Sequence, residues 1–516
     1  MAIIHKSPVP DVEIPNVTVT DYLLSKALTN PDRVALIDGP SGRTYTAAQF
    51  ADMVARLAGG FQEWGVGPDV VVAIMSPNLP EYAIAFHAIL RAGGTATTLN
   101  PTYTSEELRH QLQDSGAVMM LTVEPVLATS MEAIEGTDVR ETFLIGEGND
   151  QARSLLELLG EPIEQVELDP AEAIAVLPYS SGTTGLSKGV MLTHRNLVAN
   201  ICQTMEIFDY EDDEAAFAAL PFFHIYGMQV LMNALIAEGV TVISVPRFDL
   251  QEALELVQKH KITQFFAVPP MVLAFAKHPI IDNYDLSSLR SVFSGAAPLS
   301  AELGAEASAR LGCPVVQGYG MTELSPVSHA TRAGDFKPGS SGITVPNTEC
   351  RIVDTDSGED QEVDGEGELW VRGPQVMKGY FGNTEATAST IDDDGWLHTG
   401  DVARFDSDGH IYVVDRVKEL IKYKGFQVPP AELEALLLTH PGIADAAVIG
   451  IADDEAGELP KAFVALQPGV ELSADEIQEF VKPHVATYKQ IRLVEFIDEI
   501  PKSASGKILR RFLRNK

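Results

Sequence analysis

Short apolar runs alternate with amphipathic stretches through the first two thirds of the chain. Residues 34–37, 70–75, 241–245 and 265–268 are brief runs rich in β-branched or aromatic side chains, and they predict strands. Between them the apolar period changes to that of a helix. Thr46 and Gln49 form a capping-box pair ahead of Phe50, Met53 and Leu57 on one face. Pro80–Arg91 and residues 251–260 also read as helices. This rhythm predicts a layered α/β architecture with largely parallel strands.

The texture changes after about residue 335. Gly339, Gly342, Pro346, Gly358, Gly365, Gly367, Gly373 and Gly382 punctuate short strands such as 350–353 and 368–372, predicting a small β-barrel-like subdomain. Near Lys418 the pattern changes again. Pro429, Pro430 and Glu432 open a helix carrying Leu433, Leu436 and Leu437, and His440-Pro441-Gly442 stops it. Strands at 446–451 and 462–466 follow. A second capping box, Ser473 with Glu476, starts another helix, and 491–497 reads as a last strand. The expected division is a large unit over 1–416 and a small α+β unit over 417–516.

The length, 516 residues, exceeds what one core usually serves and agrees with at least two domains. Apolar residues at 45% suffice for a packed interior. A formal net charge of −36 excludes a nucleic-acid binder, which needs a basic face to neutralise phosphates. The acid is unevenly spread: residues 417–516 hold 13 Lys/Arg against 15 Asp/Glu, so an anionic ligand meets least opposition there. Cys202, Cys313 and Cys350 are odd in number and far apart, which predicts reduced thiols and a cytoplasmic protein. No apolar run approaches the roughly 18 residues of a membrane span, and the first residues lack a signal-peptide core.

The strongest chemical feature is Ser180-Ser181-Gly182-Thr183-Thr184-Gly185-Leu186-Ser187-Lys188-Gly189, directly after a predicted strand at 174–179. Three glycines let the backbone approach an anion, the hydroxyls add donors, and Lys188 adds a fixed charge. The spacing is not that of a Walker loop, because Leu186 and Ser187 separate Gly185 from Lys188. Residues 179–190 resemble the signature loop of the acyl-adenylate-forming superfamily, which contains acyl-CoA synthetases, luciferases and peptide-synthetase adenylation domains. Three further segments resemble that superfamily in order and spacing: Gln317-Gly318-Tyr319-Gly320-Met321-Thr322-Glu323, the stretch 395–401 with Arg416, and Pro501-Lys502-Ser503-Ala504-Ser505-Gly506-Lys507. The likeness covers essentially the whole chain.

Such an enzyme joins a carboxylate to the α-phosphorus of ATP and passes the acyl group to coenzyme A. Two anions must meet, so cations and donors are required, and Mg²⁺ is implied. By chemistry and resemblance, Tyr319 offers a flat face to adenine, Thr322 a donor to the α-phosphate, and Glu323 a contact to Mg²⁺. Gly295, Ala296 and Ala297 resemble the wall beside adenine. Asp401 resembles the ribose carboxylate, with Arg416 as its partner. Lys507 resembles the lysine that stabilises the α-phosphate and the incoming carboxylate. For the thioester step the resemblance implies rotation of the small domain about a hinge at Lys418. Lys424 and Gly425 would then line the CoA side, while Lys422 and Gln427 contact the adenylate.

His224, Ile225 and Tyr226 take the family's positions near the carboxylate and along the acyl pocket. Within the superfamily the likeness is to 4-coumarate–CoA ligases, through Gly367-Glu368-Leu369-Trp370-Val371-Arg372-Gly373 and the run 413–434. Pro326 and Val327 match positions that close an aromatic pocket. Phe293 stands where Lys is usual, Ala267 where Met is common, and Gln229 replaces Asn. The expected acid is therefore 4-coumarate or unsubstituted cinnamate, with a medium- or long-chain fatty acid as the alternative. A carrier-protein-loading ligase, a luciferase-type oxidative enzyme and a non-catalytic sensor are the other readings. Lys424-Gly425 speaks against the first of these, and intact Glu323 and Lys507 against the last.

Overall fold

The computed structural model describes residues 2–180, 187–208, 210–211, 213–424, 426–453, 456–503 and 506–514. Two large sheets form the body. In the first, Ile174–Ser180, Thr95–Leu99, Val71–Met75, Met119–Thr122, Glu141–Leu144 and Arg153–Ser154 run parallel, and Lys188–Thr193 and Gly379–Tyr380 extend one edge antiparallel. In the second, Val315–Gly320, Ser291–Ser294, Gln264–Ala267, Ala215–Ala218, Thr241–Ser244 and Val34–Asp38 run parallel between antiparallel edges. One continuous apolar core joins the two sheets and the helices between them. Helix Pro80–Arg91 is buried on nearly every side, as its apolar sequence demands. Helix Ala47–Glu63 begins at the Thr46–Gln49 capping box, with both reciprocal bonds present.

The third sheet is antiparallel: His5–Lys6, Glu349–Val353, Gly367–Arg372, Leu397–Phe405 and Ile411–Arg416. Strands one and four of a flat sheet lie about 14 Å apart. Here the His5 ring on the first strand stacks on Phe405 of the fourth at 4.4 Å. The sheet therefore curls into the barrel-like shape expected of this region. Its first strand comes from the opposite end of the chain, which a two-residue pattern does not announce.

Ile421–Tyr423 belongs to the last sheet, with Phe426–Val428, Ile443–Asp453, Gly457–Leu466 and Leu493–Phe496. Helices Pro430–Leu438 and Ala474–Val481 cover it around a separate core that includes Leu433, Leu437, Val448, Val464 and Ile477. Helix Ala474–Val481 starts at the Ser473–Glu476 capping box.

Candidate active site

Strand Val315–Gly320 delivers the first group of side chains. A Cβ on Gly318 would lie 2.4 Å from Phe293 Cζ, and one on Gly320 would lie 2.2 Å from the Pro326 carbonyl oxygen. Both positions therefore require glycine to let neighbouring segments approach. Between them, the Tyr319 hydroxyl donates to Asp401 Oδ2 at 2.6 Å. Asp401 and Arg416 face each other across strands Leu397–Phe405 and Ile411–Arg416, with Arg416 Nε 3.1 Å from Asp401 Oδ1. Both oxygens of this buried carboxylate thus have partners. Burial, and then Asp401, push the Tyr319 hydroxyl well above its ordinary range. Asp401 in turn raises the Arg416 guanidinium, keeping it charged.

Glu323 lies in the turn after that strand and is buried. Its Oε1 accepts from the Tyr380 hydroxyl at 2.9 Å. Lys188 Nζ lies 4.8 Å from the centre of the same Tyr380 ring, a cation–π contact. Tyr380 is held there because strand Gly379–Tyr380 pairs with Lys188–Thr193. Ser180 and Lys188 face each other at the mouth of the glycine-rich loop. Ser181, Gly182, Thr183, Thr184 and Gly185 lie outside the described residues. Tyr380 escaped the sequence reading. Its only signal was a tyrosine in a Gly-Tyr-Phe-Gly turn, which has no chemistry of its own.

Lys507 comes from the far end of the chain. The Ser503 N–H donates to the Lys507 carbonyl at 2.8 Å, and the Lys507 N–H donates to Ser503 Oγ at 3.1 Å. This closes a tight loop. The loop lies against the large domain, since a Cβ on Gly506 would sit 3.5 Å from Val268 and 3.7 Å from Pro270. There the Lys507 ammonium is lowered from its ordinary pKa by burial first and by Arg416 second, while Asp401 and Glu323 oppose the shift. Lys507 also acts on His224. Burial, then Lys507, lower that imidazole to about 3, so it is neutral. His224 Nδ1 accepts from the Tyr226 N–H at 3.3 Å, which leaves Nε2 as the donor. Lys507 therefore lies within electrostatic reach of Arg416, Asp401, Glu323 and His224, in the cleft where its loop meets the large domain.

Beside this cluster, aromatic rings pack against one another. Tyr226 donates to the Phe293 carbonyl at 3.2 Å, and its ring lies 2.9 Å from where a Cβ on Gly295 would be. Ala296, beside it, adopts φ 71°. Gln317 Oε1 accepts the Leu299 N–H at 2.9 Å and fixes this turn. Phe293 has Phe208 at 5.2 Å, Phe266 at 5.9 Å and Tyr226 at 6.5 Å between ring centres. Phe208 and Phe266 were not among the expected lining residues. Ala267 and Ile225 are buried in the same core. Asn200 binds both the N–H and the carbonyl of Val327, at 3.2 and 2.7 Å, and so holds the segment beginning at Pro326.

Gln229 has a structural task. Its amide donates to the Leu197 carbonyl at 2.7 Å and accepts from Asn233 at 2.9 Å. It ties Tyr226–Ala234, an unusual π-helical segment, to helix His194–Met205. Thr322 and Met321 occupy the turn before Pro326, where the Met321 N–H donates to the Pro326 carbonyl at 3.0 Å.

Lys422, Lys424 and Gln427 are not brought to this cleft. Lys422 and Gln427 pair across hairpin strands Ile421–Tyr423 and Phe426–Val428, and all three side chains are exposed. The Lys422 N–H binds Glu458 at 2.7 Å, and Phe426 stacks on Tyr488 at 4.6 Å, both within the small domain. Gly425 lies outside the described residues, and Lys418 is exposed between the two sheets. Among the described residues no group of three or more His, Cys, Asp or Glu is placed to hold a metal ion. No helix among them is long and apolar enough to cross a membrane.

The AMP-binding enzyme family matches residues 24–381, and the AMP-binding enzyme C-terminal domain matches residues 432–507. The chain belongs to the AMP-binding enzyme family. This AMP-binding enzyme is 41% identical to 4-coumarate–CoA ligase 5 of Oryza sativa subsp. japonica, over 99% of this chain and 97% of that protein. It is 41% identical to 4-coumarate–CoA ligase 1 of Arabidopsis thaliana, over 100% and 95%. Among solved structures, the anthranilate CoA ligase AuaEII in complex with anthranoyl-AMP aligns with a TM-score of 0.91 and 27% identity, covering 98% of each chain. ATP-bound MatB from Rhodopseudomonas palustris aligns with a TM-score of 0.89 and 28% identity, covering 97% and 99%. The acyl-adenylate-forming resemblance and the α/β architecture with a small C-terminal domain both stand on these findings.

Proposed function

We propose that this AMP-binding enzyme joins a hydroxycinnamate-type acid, 4-coumarate or cinnamate, to coenzyme A. Its enzyme class is that of an AMP-forming acid–CoA ligase working through an acyl-adenylate. The observation that carries the reading is the meeting of Lys507 with Arg416, Asp401 and Glu323 beside an aromatic-lined cleft.

In the first half-reaction an acid carboxylate oxygen attacks the α-phosphorus of ATP. The bond from that phosphorus to the bridging oxygen breaks, and pyrophosphate leaves with the electron pair. Lys507 and Arg416 stabilise negative charge on the α-phosphoryl oxygens, and neutral His224 donates from Nε2 at the carboxylate end. Asp401 accepts from the ribose hydroxyls. Thr322, Ser180 and the glycine-rich loop through Lys188 supply the remaining donors to the phosphates, and the wall at Gly295 flanks adenine.

Mg²⁺ suits this donor set. A hard cation of this kind is commonly held by one or two carboxylates together with substrate phosphates, and Glu323 offers one fixed carboxylate. When bound, it would neutralise charge on the phosphates of ATP.

In the second half-reaction the CoA sulfur attacks the adenylate carbonyl, AMP leaves, and the thiol proton passes to solvent. Lys507 blocks that approach, so the small domain over 417–516 turns about Lys418. The exposed hairpin with Lys422, Lys424 and Gln427 then replaces the Lys507 loop. Buried free thiols at Cys202, Cys313 and Cys350 support a reducing, cytoplasmic setting.

The rings around Phe293 favour a flat acid, because aromatic faces and edges pack best against another ring. The test is a panel of acids assayed by CoA-dependent AMP release. The reading expects 4-coumarate or cinnamate to lead in kcat/KM. Octanoate or palmitate ahead by about tenfold, a difference of about 1.4 kcal/mol, would make the enzyme a fatty acyl-CoA synthetase.

A further inference from the structure

Helix Pro430–Leu438 opens the helical part of the small domain, yet it has no side-chain cap of its own, because Pro429 stands at the cap position. The cap comes from the other side of the interdomain connector. Asp415 sits on strand Ile411–Arg416 and faces Val402 in the sheet of the large domain. Its Oδ2 accepts the Ala431 N–H, in the first turn of that helix, at 2.8 Å, and its Oδ1 accepts the Arg416 N–H at 2.7 Å. The carboxylate is buried. Burial raises its pKa above the ordinary carboxylate range, and the Ala431 N–H, Arg510 and the Arg416 N–H oppose that shift.

Arg510 is three residues past Lys507, on the terminal helix Arg510–Arg514. It is fixed to Glu434 of the capped helix at 2.6 Å and donates to the Val448 carbonyl at 3.2 Å. Arg514, on the same terminal helix, pairs with Glu419 at 2.6 Å. Glu419, just past the exposed Lys418, is thus tied to the terminal helix within the small domain, while Asp415, before Lys418, reaches across to it from the large domain.

We propose that Asp415 is a positioning residue for Lys507. Rooted in the large domain, its carboxylate docks the uncapped end of helix Pro430–Leu438 and so holds the terminal loop in the adenylation site. This rests on the reading above that Lys507 serves the first half-reaction and that the small domain then turns about Lys418. Rotation about Lys418 leaves Asp415 with its sheet and carries Ala431 away, so this bond exists in only one of the two poses. A buried carboxylate that loses a donor must be rehydrated or find another partner. The latch therefore favours two discrete poses over a continuum.

The test compares wild type with Asp415→Ala and Asp415→Asn in both half-reactions. Acid-dependent exchange between pyrophosphate and ATP reads the first. Thioester formation from CoA and supplied acyl-AMP reads the second. Asp415→Ala is expected to lower exchange by about tenfold, within the range of ordinary conformational couplings, and to leave thioester formation unchanged or faster. Asp415→Asn keeps an acceptor for the Ala431 N–H, so a smaller skew in the same direction is expected, and it serves if the alanine variant does not fold. Equal losses in both half-reactions, or no change in either, would overturn the inference. A Lys507→Ala control separates the two ideas: full exchange in that variant sinks the underlying reading, whatever Asp415 does.

Discussion

Replacing Lys507 by alanine is the sharpest probe of the site. In the proposed reaction the ammonium is one of the charged groups that meet the α-phosphoryl oxygens, and Arg416, Asp401 and Glu323 all act on its charge. Removing one preorganised donor aimed at developing charge costs about 10²–10³ in rate, or roughly 3–4 kcal/mol. Exchange of pyrophosphate into ATP should fall by that factor, while thioester formation from supplied acyl-AMP should stay within about threefold. A pH profile adds a second readout. Burial and Arg416 lower the Lys507 pKa, so the protonated, working form is lost at lower pH than for an ordinary lysine near 10.4. The exchange rate should therefore decline on the alkaline side below that value. Stability should move the other way. Between the lowered folded pKa and the unfolded one, the unfolded chain binds more protons, so stability rises with pH while exchange falls. Lys507→Arg stays charged throughout and should abolish the alkaline limb, at a lower plateau because the guanidinium is larger and planar. Wild-type exchange in the alanine variant, or an unmoved limb in the arginine variant, would refute this account of the lysine.

Three other substitutions test separate parts of the argument. Glu323→Gln should raise the Mg²⁺ concentration needed for half-maximal exchange by about tenfold or more, because one hard oxygen ligand loses its charge; an unchanged Mg²⁺ titration would remove Glu323 from the metal's surroundings. Phe293→Ala removes the ring between Tyr226, Phe208 and Phe266, so kcat/KM should shift toward bulkier acids, at a cost in stability of about 3–5 kcal/mol by thermal or urea unfolding. Gly60→Ala places a Cβ 1.4 Å from the Leu158 carbonyl oxygen, a backbone clash that should cost about 1–3 kcal/mol or more and lower Tm with no change in acid preference.

The elements most open to sequence reading were those whose local chemistry is self-sufficient. Pro80–Arg91 carries its own proline start and an apolar surface on nearly all sides, and both the Thr46 and Ser473 capping boxes mark helix starts regardless of tertiary context. The strand at His5–Lys6 was not legible, because two residues have no period and their partner, Glu349–Val353, lies over 340 positions away. The same division holds in the site. Glycines at 318 and 320, with Tyr319 between them, announce close backbone packing. Tyr380, Phe208 and Phe266 are ordinary core-forming residues until the fold places them beside Glu323 and Phe293. Gln229 reads as pocket-lining from its position, yet its amide is consumed in holding a π-helical segment that no local pattern distinguishes from an α-helix.

Charge explains why the small domain's pose matters beyond sterics. The molecule carries a net −36, and both the acid and ATP are anions. Around the cleft Lys188, Arg416 and Lys507 stand against Glu323 and Asp401, a local surplus of one positive charge. Lys507 alone supplies that surplus, and it arrives only with the small domain. The lowered Lys507 pKa is the cost first of burying the ammonium and then of its repulsion by Arg416, and Asp401 and Glu323 offset part of it. With the loop withdrawn, the remaining groups cancel, so the cleft favours an added anion less. A domain that turns about Lys418 would therefore alter the electrostatics of the site in the same motion that exchanges its faces. Because the two effects are coupled, a residue such as Asp415, which touches neither substrate, can set the balance between the half-reactions.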